Sequence, residues 1–69
     1  MLDPGSKAGR IAATIRSRIV SGVYAPGSFL PAERVLAEDL GVARNTVRAA
    51  LDSLARDGFV RHEGRRGTV

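Results

Sequence analysis

The sequence contains no cysteine and no tryptophan, and only one histidine. Without cysteine there is neither a disulfide framework nor a thiolate metal site. A lone histidine cannot build a zinc cluster, so no metal or cofactor is expected and the core must come from aliphatic packing. Long apolar runs are also missing. The longest are a few residues, far short of the roughly 20 needed to span a bilayer, and no apolar signal-peptide core follows the start. A cytoplasmic protein without a membrane partner is the expectation. Aromatic residues are limited to Tyr24, Phe29 and Phe59. All three read as core-associated, which counts against an RNA-binding role built on stacking unpaired bases.

The residues of catalysis are similarly thin. His62 has no cysteine or glycine-framed serine beside it, and Glu33, Glu38 and Asp39 read as carboxylates on a helix surface. No nucleophile–base pair emerges, so the chain is not expected to be an enzyme.

What is present is a basic chain of 69 residues with a formal charge of +4 and a pI of about 11.1. A chain this short forms one domain and buries only about 60% of the surface that its unfolded form exposes. The charge is uneven: residues 1–40 carry five basic and four acidic side chains, residues 41–69 six and three. A basic surface concentrated in one half is the footprint of a nucleic-acid binder, because neutralising phosphates releases condensed counterions.

The segment "MLDPGS" has turn-forming residues and no periodicity, so residues 1–6 are expected to be a disordered lead-in. From Ala8 to Val20, Ala8, Ile11, Ala12, Ile15 and Ile19 recur at helical spacing, and Gly22 stops this first helix. Pro26-Gly27 suits a tight turn, with Leu30 in a very short extended segment. Pro31 fits the first turn of a second helix, and Glu33 sits where the helix dipole favours an acid. Val35, Leu36 and Leu40 form its expected buried side, with Gly41 as its end. After Val42 and Ala43, periodicity resumes at Val47, Ala50, Leu51 and Leu54 until Gly58 closes a third helix. Two helices joined so tightly form a helix-turn-helix. The closing "FVRHEGRRGTV" alternates, turns at Glu63 to Gly67 and resumes at Thr68, which reads as a β-hairpin. The expected class is mainly α with a small β-hairpin, three helices plus a two-stranded wing.

On a helical wheel the apolar stripe of the third helix leaves Asn45, Ala49 and Asp52 opposite, with Arg44 and Arg48 on a flank. Arg44 and Arg48 are four residues apart and would repel each other if the face met only water. A negatively charged partner reverses that cost. An α-helix fits the major groove of B-DNA and contacts base edges through its first residues. Arginine can donate two hydrogen bonds to guanine, asparagine can pair bidentately with adenine, and threonine can bond a phosphate or touch a thymine methyl. Arg44, Asn45, Thr46 and Arg48 are therefore candidate DNA contacts. Arg65 and Arg66 at the hairpin tip suit the sugar-phosphate backbone or a minor groove, with Gly64 and Gly67 allowing close approach. Arg34 could reach a phosphate, or pair with Glu38 four residues on. The bland alternative for all of these is an arginine-rich solvated face.

The strings "SGVYAPGSFLP", "AERVLAEDLGV", "RNTVRAALDSLARDG" and "GRRGT" together resemble the DNA-binding domain of the GntR family of bacterial transcription regulators, from about Lys7 to Val69. The resemblance implies a winged helix-turn-helix at residues 7–69 in the N-terminal part of a longer repressor. It further implies a C-terminal domain, absent from this chain, that binds a small-molecule effector and makes the full-length protein a homodimer on a pseudo-palindromic operator. The family's contacts carry over to Arg34, to Arg44, Asn45, Thr46 and Arg48, and to Gly64 with its neighbours. Ala43 departs from the pattern, standing where the family usually has a serine or threonine cap. Sequence-specific binding of double-stranded DNA for transcriptional control is the expected function. The rival from another class is a winged-helix module that binds a protein partner.

Overall fold

In the computed structural model, residues 5–25, 27–63 and 67–69 are described. Three helices account for most of them: α1 (Lys7–Val20), α2 (Glu33–Leu40) and α3 (Arg44–Arg56). Among the described residues no helix is long and apolar enough to cross a membrane.

The α1 helix begins one residue earlier than its apolar stripe suggests, because Ser6 caps it. The Ser6 hydroxyl accepts a hydrogen bond from the Gly9 amide at 3.0 Å, satisfying one of the four amide groups that a helix start leaves free. The buried side of α1 is Gly9, Ile11, Ala12 and Ile15, with Ile19 packed at its edge. In the last turn of α1, Arg18 donates to the Tyr24 hydroxyl at 2.9 Å and to Asp39 at 2.8 Å, fastening α1 to α2. Those two bonds, Asp39's first, raise the Arg18 pKa above its ordinary value. A raised arginine pKa means that Arg18 gives up its proton only on strongly alkaline titration, so its deprotonation does not loosen this tie in the neutral range.

The second helix departs from its sequence reading at both its start and its face. Ala32 is its N-cap, and Pro31 lies outside it. The Leu30 amide donates to the Thr68 carbonyl at 2.7 Å, and a residue preceding proline is biased towards extended backbone, so Leu30-Pro31 stays out of the helix. Leu36 and Ala37 are buried, whereas Val35 is 42% exposed. An eight-residue helix with several adjacent apolar residues admits more than one buried face. Packing against α3 selects the one centred on Leu36, Ala37 and Leu40.

Gly41 adopts φ +69°, ψ +35°. The Val42 amide then reaches back to the Ala37 carbonyl at 3.0 Å, closing α2 with the left-handed turn that glycine makes at least steric cost. Three residues later α3 starts. Its N-cap, Ala43, makes no side-chain capping bond. Val47, Ala50, Leu51 and Leu54 are all buried, as their spacing predicts, and α3 is the helix that packs against both α1 and α2. Ile15, Leu36, Val47 and Leu51 form the innermost layer.

After α3, Val60 returns to the core. Phe29 and Phe59, expected inside, are partly exposed at its margin. The Arg16 guanidinium lies 5.9 Å from the Phe59 ring centroid, a cation–π distance. Phe29 lies near the backbone of Gly67.

The closing segment differs from the expected two-stranded hairpin. Among the described residues there is no strand, only an antiparallel bridge between His62 and Thr68. Around it Arg61 and Val69 exchange both backbone hydrogen bonds at 2.9 Å, and the Glu63 amide donates to Gly67 at 2.8 Å. The pairing covers three residues on each side, too little for a ladder. Pro31, which has no amide hydrogen, cannot extend the pairing of Leu30 with Thr68 beyond that single bond.

Candidate nucleic-acid interface

The helix-turn-helix sets the site. Because Val47, Ala50, Leu51 and Leu54 turn inward, the same helix must carry Arg44, Asn45 and Arg48 on its outer surface. The Arg44 and Arg48 side chains are 60% and 55% exposed. Thr46 is half-buried beside Val47. Asn45 is exposed, and among the described residues its side chain makes no hydrogen bond.

Glu33, at the first position of α2, meets both arginines. Its Oε1 lies 3.2 Å from Arg48 Nη2 and 4.0 Å from Arg44 Nη2. This is the contact that relieves the repulsion expected between two arginines one helical turn apart. Sequence reasoning assigned Glu33 to the helix dipole and missed this role. Eleven and fifteen residues separate it from its partners, spacings that no single-helix rule links. Only the sharp turn at Gly41 places the start of α2 over the start of α3.

Arg34, the next residue, pairs with Glu38 at 3.2 Å, both side chains largely exposed. Such a pair contributes about 0.2–1 kcal/mol and is readily exchanged for another anion. Arg34, Arg44 and Glu33 share the wall of one open cleft of about 420 Å³, whose other side is formed by His62, Gly67 and Thr68. The starts of α2 and α3 and the closing segment thus face one another. Arg48 is joined to this group through Glu33. Gly64, Arg65 and Arg66 lie outside the described residues.

His62 also has a position that its sequence context does not announce. Its Nε2 is 3.1 Å from Asp52 Oδ1 and its Nδ1 is 3.2 Å from Thr68 Oγ1. The imidazole therefore links the closing segment to the outer surface of α3, one turn beyond Arg48. Arg61 and Glu63 form a further ion pair along that segment, with Nε to Oε1 at 2.7 Å.

An exposed face with two arginines and an asparagine at the head of one helix, with the half-buried Thr46 beside them, offers planar, bidentate donors and an amide. The partner it suits is a polyanion with readable edges.

Comparison with known proteins gives the same direction. The profile of "Bacterial regulatory proteins, gntR family" matches residues 7–69. An uncharacterized HTH-type transcriptional regulator of Mycobacterium tuberculosis is 47% identical over 60 residues, covering 87% of this chain and 25% of that protein. The fatty acid metabolism regulator protein of Pasteurella multocida matches to the same extent. That of Vibrio cholerae is 49% identical over 55 residues, 80% of this chain and 20% of its own length. Among solved structures, a protein described as a GntR-family transcriptional regulator superposes with a TM-score of 0.81 at 33% identity, over 93% of this chain and 25% of its own. The chain spans about a quarter of the length of the relatives it matches.

Proposed function

The chain belongs to the gntR family of bacterial regulatory proteins, and from that premise we propose that it is the part of a transcription regulator that binds operator DNA, with the head of α3 in the major groove. The observation that carries this reading is the division of α3 into two sides. Val47, Ala50, Leu51 and Leu54 fix it to the core, while Arg44, Asn45 and Arg48 stay outside at its N-terminal end. That end is the part of such a helix that reaches base edges.

In this reading Arg44, Arg48 and Asn45 read bases, and Thr46 contacts a phosphate or a thymine methyl. Arg34 exchanges Glu38 for a phosphate oxygen. The segment around the His62–Thr68 bridge lies alongside as the wing, with Gly64, Arg65 and Arg66 reaching the sugar-phosphate backbone or a minor groove. The whole protein acts in the cytoplasm as an effector-responsive repressor, binding half-sites about one helical turn apart as a homodimer. The similarity to fatty acid metabolism regulators is confined to 20–25% of the length of those proteins. It supports the DNA contact and identifies no effector.

The test is affinity against salt for duplexes recovered from a random-sequence pool. Several phosphate contacts require log K to fall with log[salt] by about 0.9 per phosphate neutralised. A slope near zero, with no sequence enriched, would falsify DNA binding and favour a protein-interaction module.

A further inference from the structure

We propose that Glu33 is a specificity-determining positioning residue: its carboxylate holds Arg48 and Arg44 back from indiscriminate phosphate contact and presents them in one arrangement to base edges. The inference rests on the DNA-binding reading above and deepens it.

The asymmetry of burial is the first support. Glu33 is only 29% exposed, against more than half for each arginine. The carboxylate is therefore the fixed end of the contact and the arginines are its movable ends. The second support is what remains available on Arg48. One Nη2 hydrogen is committed to Glu33, and the other donors of the guanidinium still suffice for a bidentate pair with guanine. A tethered fork reaches a base edge with its orientation already chosen.

The third support is electrostatic. Phosphate contacts position a protein but carry no sequence information, and an untethered arginine beside a duplex finds the backbone as readily as a base. A carboxylate at the same spot repels phosphate and retains the guanidinium. Binding in a wrong register then loses the ion pair without gaining a base contact. Among the described residues Glu33 is the one acid that joins α2 to α3. Glu38 pairs within its own helix, and Asp39 pairs with α1.

The experiment compares affinity for a duplex that the wild-type protein selects from a random pool with affinity for a shuffled duplex of equal composition. Glu33→Gln removes the charge at constant size. Glu33→Asp keeps the charge but shortens the arm. Asp57→Asn removes the same charge from the far end of α3, about 13 Å along the axis from Arg48. For Glu33→Gln, binding to the shuffled duplex is expected to tighten, its salt slope to steepen by about 1 to 2, and the selected-to-shuffled ratio to fall at least about fivefold. Glu33→Asp lowers the ratio in the same direction with no change in net charge, and Asp57→Asn leaves it within about twofold. A ratio that falls in neither Glu33 variant, or a uniform loss of affinity for both duplexes, overturns the proposal. If the wild-type protein selects no sequence at all, the DNA-binding reading falls and this inference with it.

Discussion

The carboxylate of Glu33 and the guanidinium of Arg48 meet at 3.2 Å across the helix-turn-helix, so the residue that begins α2 restrains a residue one turn into α3. The contact couples the two helices where they face outward. Hydrophobic packing couples them inside, through Leu36, Ala37, Val47 and Leu51.

Replacing Arg44 or Arg48 by alanine is expected to cost about 1–3 kcal/mol of operator affinity each, with discrimination relaxed at one base-pair position. Because both side chains are largely exposed, thermal stability should stay within about 0.5 kcal/mol of the wild type. Fluorescence anisotropy on single-substitution duplexes and a melting curve check the two halves. A loss of affinity uniform across all sequences would assign the arginine to phosphate instead.

Ala43 leaves α3 without a side-chain cap. Ala43→Ser should therefore raise stability by about 0.5–1 kcal/mol, at the modest end of measured caps. In a domain of this size that is a rise of several degrees in melting temperature. Calorimetry decides it, and an unchanged melting temperature would mean that the free amides of α3 are already satisfied by solvent at no cost.

Gly41→Ala tests the turn. An added Cβ would meet nothing within 4 Å, so the cost is the backbone's alone. At φ +69° that is about 1–2 kcal/mol for an L-residue. Urea denaturation should show the midpoint falling with the slope unchanged. Gly41→Asn should lose less, since asparagine tolerates this conformation better than alanine.

Leu51 is 1% exposed at the centre of the core. Truncation to alanine is expected to cost about 2–5 kcal/mol. Against a total stability of roughly 3–10 kcal/mol for 69 residues, that lowers the denaturation midpoint sharply, and at the low end of the range it leaves a substantial unfolded fraction near room temperature. Far-UV circular dichroism measures it directly. A fully helical Leu51→Ala at 25 °C with an unchanged denaturation midpoint would contradict the central place given to this residue.

How far the sequence reveals all this depends on the range of each interaction. The three helices, the glycine ends and the buried set of α3 are local properties, written in spacing of three and four residues. Ser6 as a cap was hidden because the serine lies in a stretch with no periodicity. Val35 reads as buried from spacing alone because a short helix offers several equivalent faces, and only contact with α3 chooses between them. The Glu33 contact with Arg44 and Arg48 could not be read, since it depends on the angle at which two helices meet. The same holds for Leu30 with Thr68 and for His62 with Asp52, which join segments 38 and 10 residues apart. The closing segment shows the reverse error: its alternation is genuine, but alternation gives no measure of how many residues pair.

Among the described residues the core contains no buried polar or charged side chain. Framework and proposed reading head thus draw on separate sets of amino acids. A lineage could exchange Arg44, Asn45 or Arg48 for other polar residues, acquiring a new recognition sequence while folding as before. Variation at the head of α3 is in this sense nearly free of cost to the scaffold, and a new target site requires no new architecture.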